Sequence, residues 1–245
     1  MGRAPAVLAT PRVAAFVAAA AAVVTWFVVA PHLGHLSLWP AILIVSIAVI
    51  PGTLVLALIA LPLWRERWLF PAAIVLVLAA IGFSKAGLGL EANFAKLWAA
   101  IFGGWAFLRL FEALSWVVIV ACVIPLVDIL SVWKGPTHSI TQHHFGVYTA
   151  VAIAFLVPGG GAAYLGPPDV LFFALFLGAA YRWRLRVGWT WVATTGMYAV
   201  TVIVATALDV GGLPALPFLS AGFLAANGDL LWRRLRRAAP AAPPS

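Results

Sequence analysis

Long apolar runs separated by short basic loops constrain this chain more than any other feature. A helix needs roughly 20 apolar residues to cross a bilayer core of about 30 Å. Eight runs come close to that length: residues 13–30, 40–61, 68–83, 92–108, 113–133, 163–181, 189–208 and 213–231. Hydrophobic residues make up 64% of the 245-residue chain and charged residues only 9%, whereas soluble domains carry about 25% charged residues. The sequence therefore predicts an all-α fold, a polytopic transmembrane helical bundle of about eight spans.

The loops leave no room for a second folded unit. No polar stretch is long enough to fold separately, so residues 1–245 are interpreted as a single transmembrane domain. Three spans fall within residues 1–91 and the others within 92–231. Residues 232–245 form a basic, proline-rich tail whose composition predicts disorder.

The distribution of basic residues predicts orientation rather than nucleic-acid binding. The net charge is +8, but the basic residues lie between the spans, and such residues favour the cytoplasmic side. With eight spans and the N-terminus inside, only Lys85, Lys96 and Lys134 of the fifteen basic residues fall outside. We expect an integral protein of a bacterial cytoplasmic membrane, in contact with the lipid bilayer, with both termini cytoplasmic.

Two of the seven acidic residues lie inside apolar runs. Asp128 comes five residues before Trp133, and Asp169 six residues after Ala163, which places both about 7–9 Å inside the same membrane face. A lone charge at that depth costs several kcal/mol. Two carboxyl groups in contact do not both ionise readily, so one holds a proton while the other accepts one. Such a pair can perform general acid–base chemistry on a peptide bond.

Prolines lie beside the second aspartate and before the last span. Pro167 and Pro168 cannot donate backbone hydrogen bonds, and proline is tolerated in the first turn of a helix. We therefore expect residues 165–168 to be irregular and the helix to start near Asp169. Irregular backbone at membrane depth is acceptable where it lines a water-filled cavity. Residues 214–217 (PALP) interrupt the start of the last span in a similar way.

The segment 145–157, FGVYTAVAIAFLV, is apolar but too short to span comfortably. Its β-branched and aromatic residues, closed by PGGG, favour an extended strand or a re-entrant segment. We expect it to lie against the bundle on the outer side.

Three motifs together resemble the presenilin and signal peptide peptidase family of intramembrane aspartyl proteases, in a divergent, bacterial type. They are VDILSVWKGP around Asp128, LGPPDVLFFALFLG around Asp169, and PALP. Their order and separation fit the family, and the resemblance covers residues 92–231. Two positions depart from the usual pattern: Val127 stands where the family usually has tyrosine, and Pro168 where it usually has glycine.

The resemblance implies an aspartic endopeptidase that cuts transmembrane-helix substrates within the bilayer. Asp128 and Asp169 would be the catalytic pair, and Pro214, Ala215, Leu216 and Gly166 would position the substrate. It further implies that an extended segment before the second aspartate pairs with the unwound substrate as a strand, for which 145–157 is the candidate. No metal or cofactor is implied.

Other functions remain open on the sequence alone. A zinc protease needs a helix motif such as H-E-x-x-H, which the sequence lacks, and all five histidines (His32, His35, His138, His143 and His144) lie in loops. A proton-coupled transporter would also use intramembrane carboxylates. Pro168 favours a third interpretation, an inactive relative that binds membrane helices without cutting them. We expect Asp209 to be a loop residue at the outer face.

Overall fold

The computed structural model describes residues 10–134, 145–210 and 213–238. Its helices, in chain order, are α1 (Thr10–Val29), α2 (Leu38–Ile44), α3 (Ile50–Ala60), α4 (Leu69–Lys85), α5 (Gly89–Leu108), α6 (Leu114–Lys134), α7 (Phe145–Val151), α8 (Pro167–Arg182), α9 (Val187–Ala207) and α10 (Leu216–Ala238). A π-helical stretch over Val45–Val49 joins α2 to α3. Two short strands, β1 (Ile153–Val157) and β2 (Gly161–Leu165), stand between α7 and α8.

The helical class predicted from composition is confirmed. Within the described residues, four helical segments are long and apolar enough to cross a membrane: Pro11–His32, Leu38–Arg65, Leu114–Ser131 and Val187–Ala207. Helices also occupy the four other predicted spans, but Leu69–Lys85 is a shorter apolar helix and α8 has only 16 residues. A bundle of about eight spans therefore stays a prediction.

Helix α8 lies at the centre of the bundle. Residues 173–180 are all buried, and α8 contacts α5, α6, α9 and α10. Two glycines allow α5 and α8 to approach closely. A Cβ at Gly104 would overlap the carbonyl of Leu171, and a Cβ at Gly178 would lie 2.8 Å from Leu108 Cδ2. This packing fixes the position of the helix that carries Asp169.

The two strands form an antiparallel hairpin that leads directly into α8. Ile153 pairs with Leu165 and Val157 with Gly161. Gly159 and Gly160 make the turn with φ of 84° and 93°, a conformation that glycine adopts without steric cost. The turn also contacts the end of the first span, since the Gly159 amide donates to the Ala30 carbonyl over 3.0 Å.

Several local predictions need correction. Residues 145–151 are helical rather than extended, and only Ile153–Val157 forms the expected strand. The second strand, Gly161–Leu165, was not predicted, and it takes the first residues of the span predicted at 163–181. The irregular segment predicted at 165–168 is wrong, because β2 includes Leu165 and α8 begins at Pro167. Both prolines fit there because the first turn of a helix needs no backbone donors.

The last helix extends beyond its predicted end. Helix α10 continues to Ala238, so residues 232–238 of the tail that was predicted to be disordered are helical, while 239–245 lie outside the described residues. Polar contacts join α10 to α9. The buried Asn227 side chain accepts a hydrogen bond from the Arg186 amide over 3.0 Å and donates to Thr190 Oγ1 over 2.8 Å. These bonds hold α10, and with it the PALP segment, against α9.

Candidate active site

The first turn of α8 shapes the environment of Asp169. Gly166 precedes the helix in an extended conformation (φ −66°, ψ 146°), and Pro167 and Pro168 are its first two residues. Asp169 follows, and its Oδ2 accepts a hydrogen bond from the Gly166 amide over 3.0 Å. An acidic residue at the third helical position commonly reaches back in this way, and it satisfies a donor that the helix leaves unpaired. The two prolines therefore set the helix start that orients the carboxyl group.

Gly166 is needed at this position for space rather than for its backbone angles. Any residue can adopt its conformation, but a Cβ there would lie 3.1 Å from Asp169 Oδ2. A side chain would thus press on the carboxyl group. Gly166, which the resemblance implies as a substrate-positioning residue, contacts Asp169 directly.

Asp128 lies in α6, and the PALP segment contacts it. Asp128 Oδ2 accepts a hydrogen bond from the Leu216 amide over 3.0 Å. Leu216 is the first residue of α10, and both it and Ala215 are buried. Pro214 precedes them outside the helix and is also buried. The structure therefore brings together two motifs that lie 88 residues apart.

The two aspartates lie on helices that are in contact. Helix α6 carries Asp128 and packs against α8, which carries Asp169, and both residues are half-buried. The hydrogen bond of each Oδ2 goes to a backbone amide rather than to the other carboxyl group. The predicted pair thus shares one region of the bundle. Asp209 lies elsewhere, in a left-handed turn (φ 50°) after α9.

Two side chains cover the outer edge of β1, and a third bonds the residue just before it. Asn93 of α5 donates to the Ala154 carbonyl over 2.9 Å and accepts from the Ala154 amide over 2.7 Å. Trp26 Nε1 of α1 donates to the Leu156 carbonyl over 3.1 Å. Lys96, one turn beyond Asn93, donates to the Ala152 carbonyl over 2.7 Å. Asn93 therefore takes the place that a third strand would occupy.

Sequence reasoning missed some of the residues around the pair. It counted Lys96 only among the basic residues on the outer side and did not single out Asn93. It also missed two tyrosines. The Tyr198 hydroxyl donates to the Asp169 backbone carbonyl, and the Tyr148 ring packs edge-on against Tyr164 of β2. The sequence signal that could have identified these residues is their polar character inside apolar runs.

A large apolar groove lies beside the start of α8. It has a volume of about 1440 Å³ and runs between α4, α5 and α8, where Pro167, Pro168 and Leu171 line it. Small-molecule sites usually measure about 300–1,000 Å³, so this groove is larger than such a site. Asp169 is not among its lining residues, but Pro168, the residue before it, is.

The described residues contain no cluster of three or more His, Cys, Asp or Glu side chains that could hold a metal ion. His32 is exposed and bonds the Val28 carbonyl through Nδ1 over 2.9 Å. His138, His143 and His144 lie outside the described residues.

No protein-family model matches the chain, and no curated protein or solved structure matches it.

Proposed function

We propose that this protein is an intramembrane aspartyl protease that hydrolyses peptide bonds in transmembrane helices through Asp128 and Asp169. The observation that carries the proposal is the meeting of three separate segments. Asp128 accepts its hydrogen bond from the PALP segment, and its helix α6 contacts α8, where Asp169 lies in the first turn after the hairpin. In the proposed reaction, one carboxylate takes a proton from water as the water attacks the scissile carbonyl. The other carboxyl group protonates the carbonyl oxygen.

The backbone around the pair supports a single shared proton. Asp128 bonds the first amide of α10, and Asp169 bonds the amide just before α8. Both carboxyl groups therefore lie at helix N-termini, where negative charge is stabilised by about 0.3–1 kcal/mol or more. Mutual repulsion opposes two charges at this depth. Retention of one charge and one proton is the state that acid–base catalysis by two aspartates requires.

The apolar groove offers a route for the substrate. Its rim includes Val77, Ile81 and Phe107, which are 50%, 50% and 37% exposed. A helix can therefore enter sideways from the bilayer without crossing water. Ala99 and Gly103 line the groove, and small residues allow a second helix to approach closely. We propose that the substrate helix lies in this groove and unwinds where the groove reaches Pro168.

Strand β2, rather than the predicted segment 145–157, is the strand on which an unwound substrate can pair. The outer edge of β1 is occupied by Asn93 and Trp26. In an antiparallel pair, two residues that lie directly opposite each other either bond each other or both direct their amide and carbonyl groups away from the pair. The Leu156 carbonyl points away from β2, because it bonds Trp26. Ala162, opposite Leu156, therefore directs its backbone groups to the outer edge of β2. Addition of a strand there supplies backbone hydrogen bonds irrespective of sequence and ends beside Asp169.

The test is cleavage of a reporter transmembrane peptide by the purified full chain. Asp128→Asn and Asp169→Asn are each expected to abolish cleavage, because each removes one partner of the acid–base pair. Asp209→Asn is the matched control: it makes the same chemical change in a turn that asparagine tolerates, and cleavage should persist. A transition-state inhibitor of aspartyl proteases should block the wild-type protein. Cleavage by both active-site variants at the wild-type rate would refute the proposal.

The two other candidate functions give different results in the same preparation. A proton-coupled transporter would move protons across a liposome membrane without cutting the peptide, and this flux would depend on the same aspartates. An inactive relative would bind the peptide and neither cut it nor move protons. Either pattern would replace the protease proposal.

A further inference from the structure

Tyr198 makes a contact that the proposed reaction does not use. It lies in α9, is fully buried, and packs its ring against Phe173 with the ring centroids 6.2 Å apart. Its hydroxyl donates to the backbone carbonyl of Asp169 over 2.6 Å. A phenol buried in a membrane bundle needs a hydrogen-bond partner, but the partner here belongs to a residue of the proposed catalytic pair.

The bonded carbonyl lies in the first turn of α8, where few other bonds hold the chain. Pro167 and Pro168 have no amide hydrogens, and the hairpin enters immediately before them. Within the helix, the Asp169 carbonyl is the acceptor for the residue four positions later. Its second lone pair remains available, and Tyr198 occupies it from the α9 side. The bond therefore ties the first turn of α8 to α9.

Asp169 is thus held at two points. The Gly166 amide bonds the carboxyl group, and the Tyr198 hydroxyl bonds the main chain of the same residue. A substrate strand added to β2 would pull on the segment just before Asp169, and the Tyr198 bond resists that displacement from the opposite side. We propose that Tyr198 is a positioning residue, which keeps the Asp169 carboxyl group in place relative to Asp128 when substrate is bound. This inference rests on the proposed function.

Tyr198→Phe removes the hydroxyl and keeps the ring that packs on Phe173. We expect kcat for the reporter peptide to fall about tenfold, because the free energy of one hydrogen bond corresponds to a rate change of that size. The rate is expressed per mole of protein in the folded size-exclusion peak. KM should stay within about twofold, because groove and strand are unchanged, while a transition-state inhibitor should bind more weakly. Incorporation of p-aminophenylalanine at position 198, which restores a donor at the same ring position, should recover most of the lost kcat.

Thr201→Val is the matched control. Thr201 is also buried in α9, but its hydroxyl donates to the Met197 carbonyl of its own helix over 2.9 Å. This variant loses a buried hydroxyl without touching α8, so its kcat should equal that of the wild type. If Tyr198→Phe lowers only the thermal midpoint and leaves kcat and inhibitor binding unchanged, Tyr198 has a structural role and the inference is wrong. If Asp169→Asn still cleaves, the proposed function fails instead, which is a separate result.

Discussion

The two hydrogen bonds between the Asn93 side chain and Ala154 of β1 predict how much local stability the hairpin loses when they are removed. Asn93→Leu keeps the branched shape of the side chain, although leucine is larger, and removes both hydrogen bonds to Ala154, of 2.7 and 2.9 Å. Asn93 is only 6% exposed, so little water can replace the lost partner. Each bond contributes about 1 kcal/mol net, and each buried group left without a partner costs about 1–3 kcal/mol. We expect the hairpin to lose about 2–4 kcal/mol of local stability.

Hydrogen–deuterium exchange in nanodiscs measures that loss directly. A local destabilisation of about 2–4 kcal/mol accelerates exchange of the Ala154 amide by about 30- to 1,000-fold, since 1.4 kcal/mol corresponds to tenfold. Thr206→Val is the control, because its hydroxyl bonds only the Val202 carbonyl within α9. Its exchange at Ala154 should equal that of the wild type. If the Ala154 amide is as well protected in Asn93→Leu as in the wild type, Asn93 does not hold the strand and the argument about the occupied edge is wrong.

Three further predictions concern the packing of the site. Gly166→Ala should lower kcat, because the new Cβ would lie 3.1 Å from Asp169 Oδ2. The free energy of unfolding should change by less than about 1 kcal/mol, because the backbone angles of Gly166 suit alanine. An unchanged kcat would contradict this prediction. Leu216→Pro removes the amide that bonds Asp128 at a helix start that tolerates proline. It should cost at least tenfold in kcat beyond the loss caused by Leu216→Ala, which keeps the amide; equal losses would contradict a role for the amide. Gly104→Ala should destabilise the bundle by about 1–3 kcal/mol or more in thermal unfolding, because its Cβ would overlap the Leu171 carbonyl. Gly103→Ala is the control and should be nearly neutral, because the atom nearest to its Cβ would be 3.7 Å away.

The sequence predicts the helices better than it predicts the segment between α6 and α8. Apolar runs place the helices because length and composition alone determine which segments can cross a bilayer. The hairpin has no comparable signal. Gly161–Leu165 is GAAYL, which lacks the β-branched residues that favour strands. It is extended because it pairs with β1, and that pairing was not visible in its own residues. The start of α8 was predicted two residues late for a different reason, because both prolines fit in its first turn, which needs no backbone donors.

At the candidate site, too, some features follow from the sequence motifs and others depend on contacts between distant segments. The motifs around Asp128 and PALP, which the family resemblance groups together, are joined by a hydrogen bond, and the helices that carry the two aspartates are in contact. The matched membrane depth of the two aspartates stays a prediction: Asp169 lies in the first turn of its helix, whereas Asp128 lies well inside α6. Membrane depth counted along a sequence assumes regular helices, and the hairpin breaks that assumption.

Polar residues inside the apolar runs identify where the backbone departs from regular helices. Asn93 bonds a strand edge, Asp128 bonds the first amide of α10, Tyr198 bonds the first turn of α8, and Asn227 bonds the amide just before α9. In a bilayer such backbone groups have no water to satisfy them, so a side chain must do so. Most of these polar residues are therefore explained by structure alone. Asp128 and Asp169 differ from the others because a neutral asparagine could accept the same amide bonds. A negative charge inside an apolar bundle is costly, and the proposed function, which needs an acid and a base, gives a reason for carboxyl groups on two contacting helices.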